Sequence, residues 1–172
     1  MGGLLAAELV DVDGDGYLDL VLGHQGSSSG RAVIIFWGNG TLPFSANRAT
    51  QIPDPIPNPP AFPNTYDIKA EDINGDGRRD LVLLRLTQGL SGYYFQILLQ
   101  TGARSFVDES LVRIIGAPSR WEGNTGAWFP WIHMPDLNGD AFVDLGIGDS
   151  SAGVVRSLQW LNDRRGFFSK VP

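Results

Sequence analysis

One nine-residue loop motif occurs three times in this chain and constrains its fold more than any other feature. The copies are 11–19 (loop 1), 72–80 (loop 2) and 136–144 (loop 3), and they begin 61 and 64 residues apart. Each reads Asp-x-[Asp/Asn]-Gly-Asp-[Gly/Ala]-x-x-Asp, and the leucine that follows opens a short apolar run. Repetition at a fixed period is typical of architectures that stack one supersecondary unit several times.

The apolar runs between glycine- and proline-containing turns predict four short strands in each copy. They are 4–10, 18–22, 32–37 and 50–52 in copy one, 65–70, 80–84, 94–99 and 111–115 in copy two, and 127–133, 143–147, 154–161 and 168–171 in copy three. Trp37, Leu99 and Trp160 each precede a phenylalanine by seven residues. We assign them one repeat position and expect them to pack between repeats.

Four strands in a repeat of this length are typical of β-propeller blades. We therefore predict an all-β fold of three four-stranded repeats, forming a partial propeller or half of a dimeric ring. The predicted parts are blade 1 at 1–52, a proline-rich connector at 53–63, blade 2 at 64–116 and blade 3, which we expect to be incomplete, at 117–172.

The loops have the composition of calcium sites. Calcium takes six to eight oxygen ligands, and a nine-residue loop can wrap it with side chains at positions 1, 3, 5 and 9 and a backbone carbonyl at position 7. The predicted ligands are Asp11, Asp13, Asp15, Asp19 and the carbonyl of Tyr17 in loop 1; Asp72, Asn74, Asp76, Asp80 and the carbonyl of Arg78 in loop 2; and Asp136, Asn138, Asp140, Asp144 and the carbonyl of Phe142 in loop 3. About three Ca²⁺ ions are expected. Ala141 replaces a glycine of the other copies, so the third site is expected to be weaker.

The loop motif has two other interpretations. They could be turns in which carboxylates cap backbone amides, but several like charges held together repel one another without a counterion. An EF-hand needs flanking helices and a glutamate at position 12. That position holds Leu22, Leu83 and Ile147, in strand-like runs, so the EF-hand is excluded.

The motif D-x-[DN]-G-D-G-x-x-D-L, recurring about every 60 residues, resembles the FG-GAP/VCBS repeats of integrin α-subunit propellers. The resemblance implies blades whose first two strands are joined by the calcium loop, with seven blades in the usual ring. It also implies an extracellular or cell-surface location. Propellers close with about four to eight blades, so we expect either further blades of a longer chain or a homodimer with six.

Charge and composition narrow the choice of partners. The net charge is −6, ten of the 19 acidic residues lie in the three loops, and three divalent cations would neutralise the chain. Nothing indicates nucleic acid, no apolar run is long enough to span a membrane, and the chain contains no cysteine. The expected function is binding of a protein or other ligand, as in adhesion.

No arrangement of residues predicts catalysis. His24 precedes a serine-rich segment, but no nucleophile motif or acid partner accompanies it. His133, in an apolar run, is expected to be structural. A carbohydrate-binding propeller is the main alternative, with the aromatic stretch 120–131 (Trp121, Trp128 and Trp131) as its expected surface. A non-catalytic part of a propeller lyase or hydrolase is the other.

Overall fold

The computed structural model describes residues 4–24, 31–53, 64–86, 92–115, 122–123, 131–149 and 156–172. These residues form three β-sheets with little helix, which confirms the all-β class. The proline-rich connector and most of the aromatic stretch 120–131 lie outside the described residues.

Sheet 1 is a four-stranded antiparallel meander of β1 (Leu4–Val10), β2 (Asp19–His24), β3 (Arg31–Phe36) and β4 (Ala49–Pro53). A 3₁₀ turn at Ala46–Arg48 precedes β4, and the Ser45 hydroxyl caps it by accepting the Asn47 N–H. The four strands lie where the sequence predicts them, with ends that differ by one or two residues.

Sheet 2 repeats this meander with β5 (Asn64–Glu71), β6 (Asp80–Leu86), β7 (Gly92–Gly102) and β8 (Ser105–Asp108). Its predicted fourth strand, 111–115, is wrong. A helical turn, α1, occupies Ser110–Arg113, and β8 is the strand that pairs with β7. The Ser110 hydroxyl, which accepts the Ile97 N–H and donates to Asp108, holds α1 against β7.

Short segments of the chain are exchanged between sheets 2 and 3. β9 (Ile114–Ile115) pairs in parallel with β14 (Phe168–Lys170), the last strand of the chain, and β10 (Glu122–Gly123) returns to pair with β7. Sheet 3 itself consists of β11 (Trp131–His133), β12 (Leu145–Asp149), β13 (Arg156–Asn162) and β14 (Phe168–Lys170). Its short fourth strand lies within the predicted range 168–171.

The core lies in two layers on either side of sheet 2. Because side chains alternate along a strand, Leu81 and Leu83 of β6 face sheet 1, whereas Val82 and Leu84 face sheet 3. Every residue of β6 is buried. β5 contacts both β1 and β11, so the first strands of the three sheets lie side by side.

The assignment of Trp160 to the repeat position of Trp37 and Leu99 is wrong by one residue. Trp160 pairs with Leu145, as Phe36 does with Leu20 and Leu98 with Leu81, so Leu161 occupies that position. A shift of one residue turns a side chain to the opposite face of the sheet. Trp160 is nonetheless buried, with its ring at 5.1 Å and 83° to that of Phe95, and it packs between sheets 2 and 3.

Candidate metal centres

Each of the three loops connects the first two strands of its sheet. The aspartate at position 1 organises the loop by accepting three backbone N–H groups. In loop 1, Asp11 Oδ1 accepts from Gly14 (2.8 Å) and Asp15 (3.1 Å), and Oδ2 accepts from Gly16 (2.9 Å). The same three bonds are formed by Asp72 in loop 2 and by Asp136 in loop 3. The loops therefore have one backbone geometry, set by a short-range side-chain cap.

This geometry requires positive φ at positions 4 and 6, where glycine avoids the Cβ penalty. The φ values are 76° at Gly14, 88° at Gly16, 76° at Gly75, 83° at Gly77 and 77° at Gly139. Loop 3 has alanine at position 6, and Ala141 still adopts φ 69°. The expected strain at this position of the third loop is thus present.

The aspartate at position 9 is fully buried in every loop and attaches it to the third strand. Asp19 accepts the Val12 N–H on Oδ2 (2.8 Å) and the Gly38 N–H on Oδ1 (2.7 Å). Asp80 does the same with Ile73 and Gln100, and Asp144 with Leu137 and Asn162. Each carboxylate therefore joins the start of its loop to the third strand of the sheet, or, for Asp19, to Gly38 just after that strand.

Burial makes two of these carboxylates harder to ionise. It raises the pKa of Asp80 to about 6, against the N–H groups of Gln100 and Ile73, which favour the charged form. It also raises the pKa of Asp19, with Gly38 and Val12 opposing it. Asp140, at position 5 of loop 3, is different, because the Phe142 N–H and the Arg164 guanidinium lower its pKa. A divalent cation beside Asp80 or Asp19 would stabilise the charged carboxylate.

A guanidinium group contacts the acidic side chains of each loop. Arg104, in the turn between β7 and β8, donates to Asp13 Oδ2 (2.6 Å) and Asp15 Oδ2 (3.4 Å), and so reaches from sheet 2 to loop 1. Its Cζ lies 5.0 Å from the ring centroid of Trp37.

Loops 2 and 3 have an arginine within their own repeat. Arg78 donates to Asp76 Oδ2 (2.6 Å), and Arg164 donates to Asp140 Oδ2 (3.0 Å). The position 5 carboxylate thus contacts a guanidinium in all three loops, and in loop 1 the position 3 carboxylate does so too. The sequence pattern does not predict Arg104 or Arg164 as loop partners, because the only local signal that they share is a turn before a phenylalanine.

Loop 1 also has the donor set of a cation site. Asp11, Asp13 and Asp15 each offer a carboxylate oxygen, and these oxygens lie within 4.8 Å of one another. Such hard anionic oxygens fit a hard divalent cation. Asp19 is not part of this group among the described residues. The assignment of the position 7 carbonyls and of the equivalent ligands in loops 2 and 3 stays a prediction.

The two histidines and the aromatic stretch 120–131 form no comparable site in the described part of the chain. His24 ends β2 and is half-buried, whereas His133 is exposed on β11 rather than packed in a core. Trp131 is 52% exposed on the same strand, while Trp121 and Trp128 lie outside the described residues. The aromatic ligand surface therefore stays a prediction. No described helix has the length and apolar character needed to cross a bilayer.

Comparison with known proteins identifies the repeat. No curated protein and no solved structure gives a significant match to the chain. The model of the FG-GAP-like repeat family matches residues 11–83, from the first residue of loop 1 to the strand that follows loop 2. This match covers one full repeat period and both of its Asp-rich loops. The resemblance seen in the sequence is thus confirmed over residues 11–83, which match the FG-GAP-like repeat family.

Proposed function

We propose that this chain is a calcium-binding β-propeller module whose loops bind Ca²⁺ to stabilise the hairpin between the first two strands of each blade. One observation carries the proposal: three loops with the same hydrogen bonds each hold acidic side chains against a cationic group. A guanidinium neutralises only part of this charge. A divalent cation among the same oxygens would neutralise more of it.

The chemistry of the loops favours calcium over magnesium. Magnesium requires a near-regular octahedron and retains several waters, whereas calcium accepts irregular sets of six to eight oxygens. When bound, the ion would supply the positive charge that balances the loop carboxylates. Asp11, Asp13 and Asp15 would hold it in loop 1, and Asp72 with Asp76 and Asp136 with Asp140 would contribute in loops 2 and 3.

The module would act in binding a protein or other ligand, as in adhesion, at an extracellular or cell-surface location. There, millimolar calcium saturates sites with dissociation constants of roughly 10⁻⁴–10⁻³ M. Three adjacent sheets with their first strands together support the propeller interpretation. A closed ring would require further blades, supplied by a second copy of this chain or by other repeats.

Thermal unfolding in EDTA and in calcium tests the proposal. Calcium at 100 times the dissociation constant stabilises the folded chain by about 2.7 kcal/mol for each site. For a chain of this length we expect a rise in Tm of roughly 5–10 °C for each occupied loop. Isothermal titration should give about three ions per chain. Mass in solution, measured in parallel, would distinguish a monomer from a six-bladed dimer.

The control for this experiment is the variant Asp15→Asn, which keeps the side-chain oxygen that accepts the Tyr17 N–H but removes one charge from loop 1. It should weaken calcium binding most strongly at loop 1, where the charge is removed. Magnesium at the same concentration should give a smaller shift in Tm. If neither cation changes Tm and no ion binds, the loops are capped turns and the proposed calcium function is wrong.

A further inference from the structure

Two buried amide side chains connect neighbouring sheets at their metal loops. The Gln100 N–H donates to Asp80 Oδ1 (2.8 Å) in its own sheet, and its side-chain Nε2 donates to the Val12 carbonyl (3.2 Å) in loop 1. Asn162 makes the equivalent pair of bonds from sheet 3. Its N–H donates to Asp144 Oδ1 (2.8 Å), and its Nδ2 donates to the Ile73 carbonyl (2.8 Å) in loop 2.

The two carbonyl acceptors belong to the second residue of each loop, which itself is hydrogen-bonded to the position 9 aspartate. Val12 N–H donates to Asp19, and Ile73 N–H donates to Asp80. The bonds therefore form one uninterrupted series through all three loops. In order it is Asp144, Asn162, Ile73, Asp80, Gln100, Val12, Asp19 and Gly38.

The series is buried along its length. Asp19, Asp80 and Asp144 have no exposed surface, and Gln100 and Asn162 are 3% exposed. A buried donor or acceptor that loses its partner costs about 1–3 kcal/mol. A displacement of one loop is therefore opposed by bonds that hold the adjacent loop. In sheet 1 the equivalent position is Gly38, which has no side chain, so the amide links join loop 1 to loop 2 and loop 2 to loop 3.

We propose that Gln100 and Asn162 couple adjacent cation loops, so that a cation in one loop raises the cation affinity of the next. The proposal rests on the proposed calcium function. A cation in loop 2 would order the loop that Asp80 attaches to Gln100, and this would fix the amide that holds Val12 beside Asp13. If the first cation has already ordered the neighbouring loop, the second cation loses less conformational entropy on binding and therefore binds more tightly. Coupling of this kind is reciprocal between the two sites.

The amides of the loop glycines allow each site to be followed separately in the full chain. Gly14 and Gly16 report on loop 1, Gly75 and Gly77 on loop 2, and Gly139 on loop 3, because their N–H groups donate to the position 1 aspartates. Protein labelled with ¹⁵N-glycine would be titrated with Ca²⁺. We expect Asp76→Asn, which impairs loop 2, to weaken calcium binding at loop 1 by about fivefold.

Gln100→Met tests whether the amide carries this effect, since it keeps the backbone bond to Asp80 and the size of the side chain but removes the donor to Val12. In this background Asp76→Asn should no longer change the affinity of loop 1. The matched control is Gln51→Met, on the exposed part of β4, in which the fivefold effect should persist.

The outcomes separate the two proposals. An unchanged affinity of loop 1 in Asp76→Asn, or an equal loss with and without Gln100, overturns the coupling while calcium binding stands. Absence of any calcium-induced shift in the unmodified chain overturns the calcium function and the coupling together. The Asp76→Asn titration keeps Gln100 in place, so an unchanged affinity of loop 1 in this variant overturns the coupling even if Gln100→Met does not fold.

Discussion

Ala141 adopts a backbone conformation that its two counterparts adopt as glycine, and this strain can be removed by one substitution. Its φ of 69° lies in the left-handed region, where a Cβ costs about 1–2 kcal/mol. Its N–H donates to Asp136 Oδ2 (2.9 Å), which holds the residue in that conformation. Ala141→Gly should relieve the strain. The greater freedom of glycine in the unfolded chain offsets about 0.4–1 kcal/mol of the gain, which leaves a net stabilisation of roughly 0.5–1 kcal/mol.

The assay is thermal and urea unfolding in EDTA, so that metal binding does not contribute. For a chain of this length the gain corresponds to a rise in Tm of roughly 1–4 °C. Gly16→Ala and Gly77→Ala are the matched controls, because an added Cβ at either position has no atom within 4 Å and therefore introduces only the backbone strain. Each should lower stability by a similar amount. If both controls destabilise the chain but Ala141→Gly is neutral or destabilising, the assignment of strain to this position is refuted.

Two further predictions concern the charges around the loops. Arg104→Met removes the guanidinium from Asp13 and Asp15 and should raise the calcium affinity of loop 1 about two- to fivefold, as expected for loss of a partly exposed competing ion pair. Calcium titration measures this affinity, and Arg165→Met, which removes the guanidinium from Asp163 outside the loops, is the control. An unchanged affinity of loop 1 would contradict competition between Arg104 and calcium. Burial raises the pKa of Asp80 to about 6 from 3.8, so the folded chain binds this proton more tightly than the unfolded chain. In EDTA the contribution of Asp80 to the free energy of unfolding is then greatest below about pH 4 and falls as the pH rises through 6, by at most about 3 kcal/mol. Urea unfolding across this pH range measures the change, which Asp80→Asn should lack. A pH dependence of the same size in that variant would show that other groups titrate.

The loops could be predicted from the sequence because the interactions that shape them are local. The position 1 aspartate caps amides three to five residues away, and the glycines at positions 4 and 6 have the positive φ that a reversing chain requires. These contacts need no information from other repeats. The same reasoning identified the strain at Ala141 and excluded flanking helices.

Features that depend on distant pairing could not be predicted in this way. The run 111–115 has apolar residues suitable for a strand, but Ile114–Ile115 pairs with β14 more than 50 residues later, and a helical turn precedes it. Gln100 and Asn162 differ in residue type, and their shared role appears only when the third strands are aligned through Asp80 and Asp144. Trp160 was misplaced for the same reason, because its spacing to a phenylalanine imitates that of Trp37.

The structure also divides the work of the loop carboxylates in a way that the motif alone does not reveal. Asp19, Asp80 and Asp144 hold backbone amides of two elements each, so their removal would disturb the fold with or without a metal. Asp13 and the position 5 carboxylates Asp15, Asp76 and Asp140 instead form ion pairs with guanidinium groups. A loss of stability after substitution at position 9 is therefore no measure of a metal ligand. The metal function has to be tested at position 5, where Asp15→Asn, Asp76→Asn or Asp140→Asn keeps the oxygen that accepts the N–H of position 7 and removes one charge from the loop.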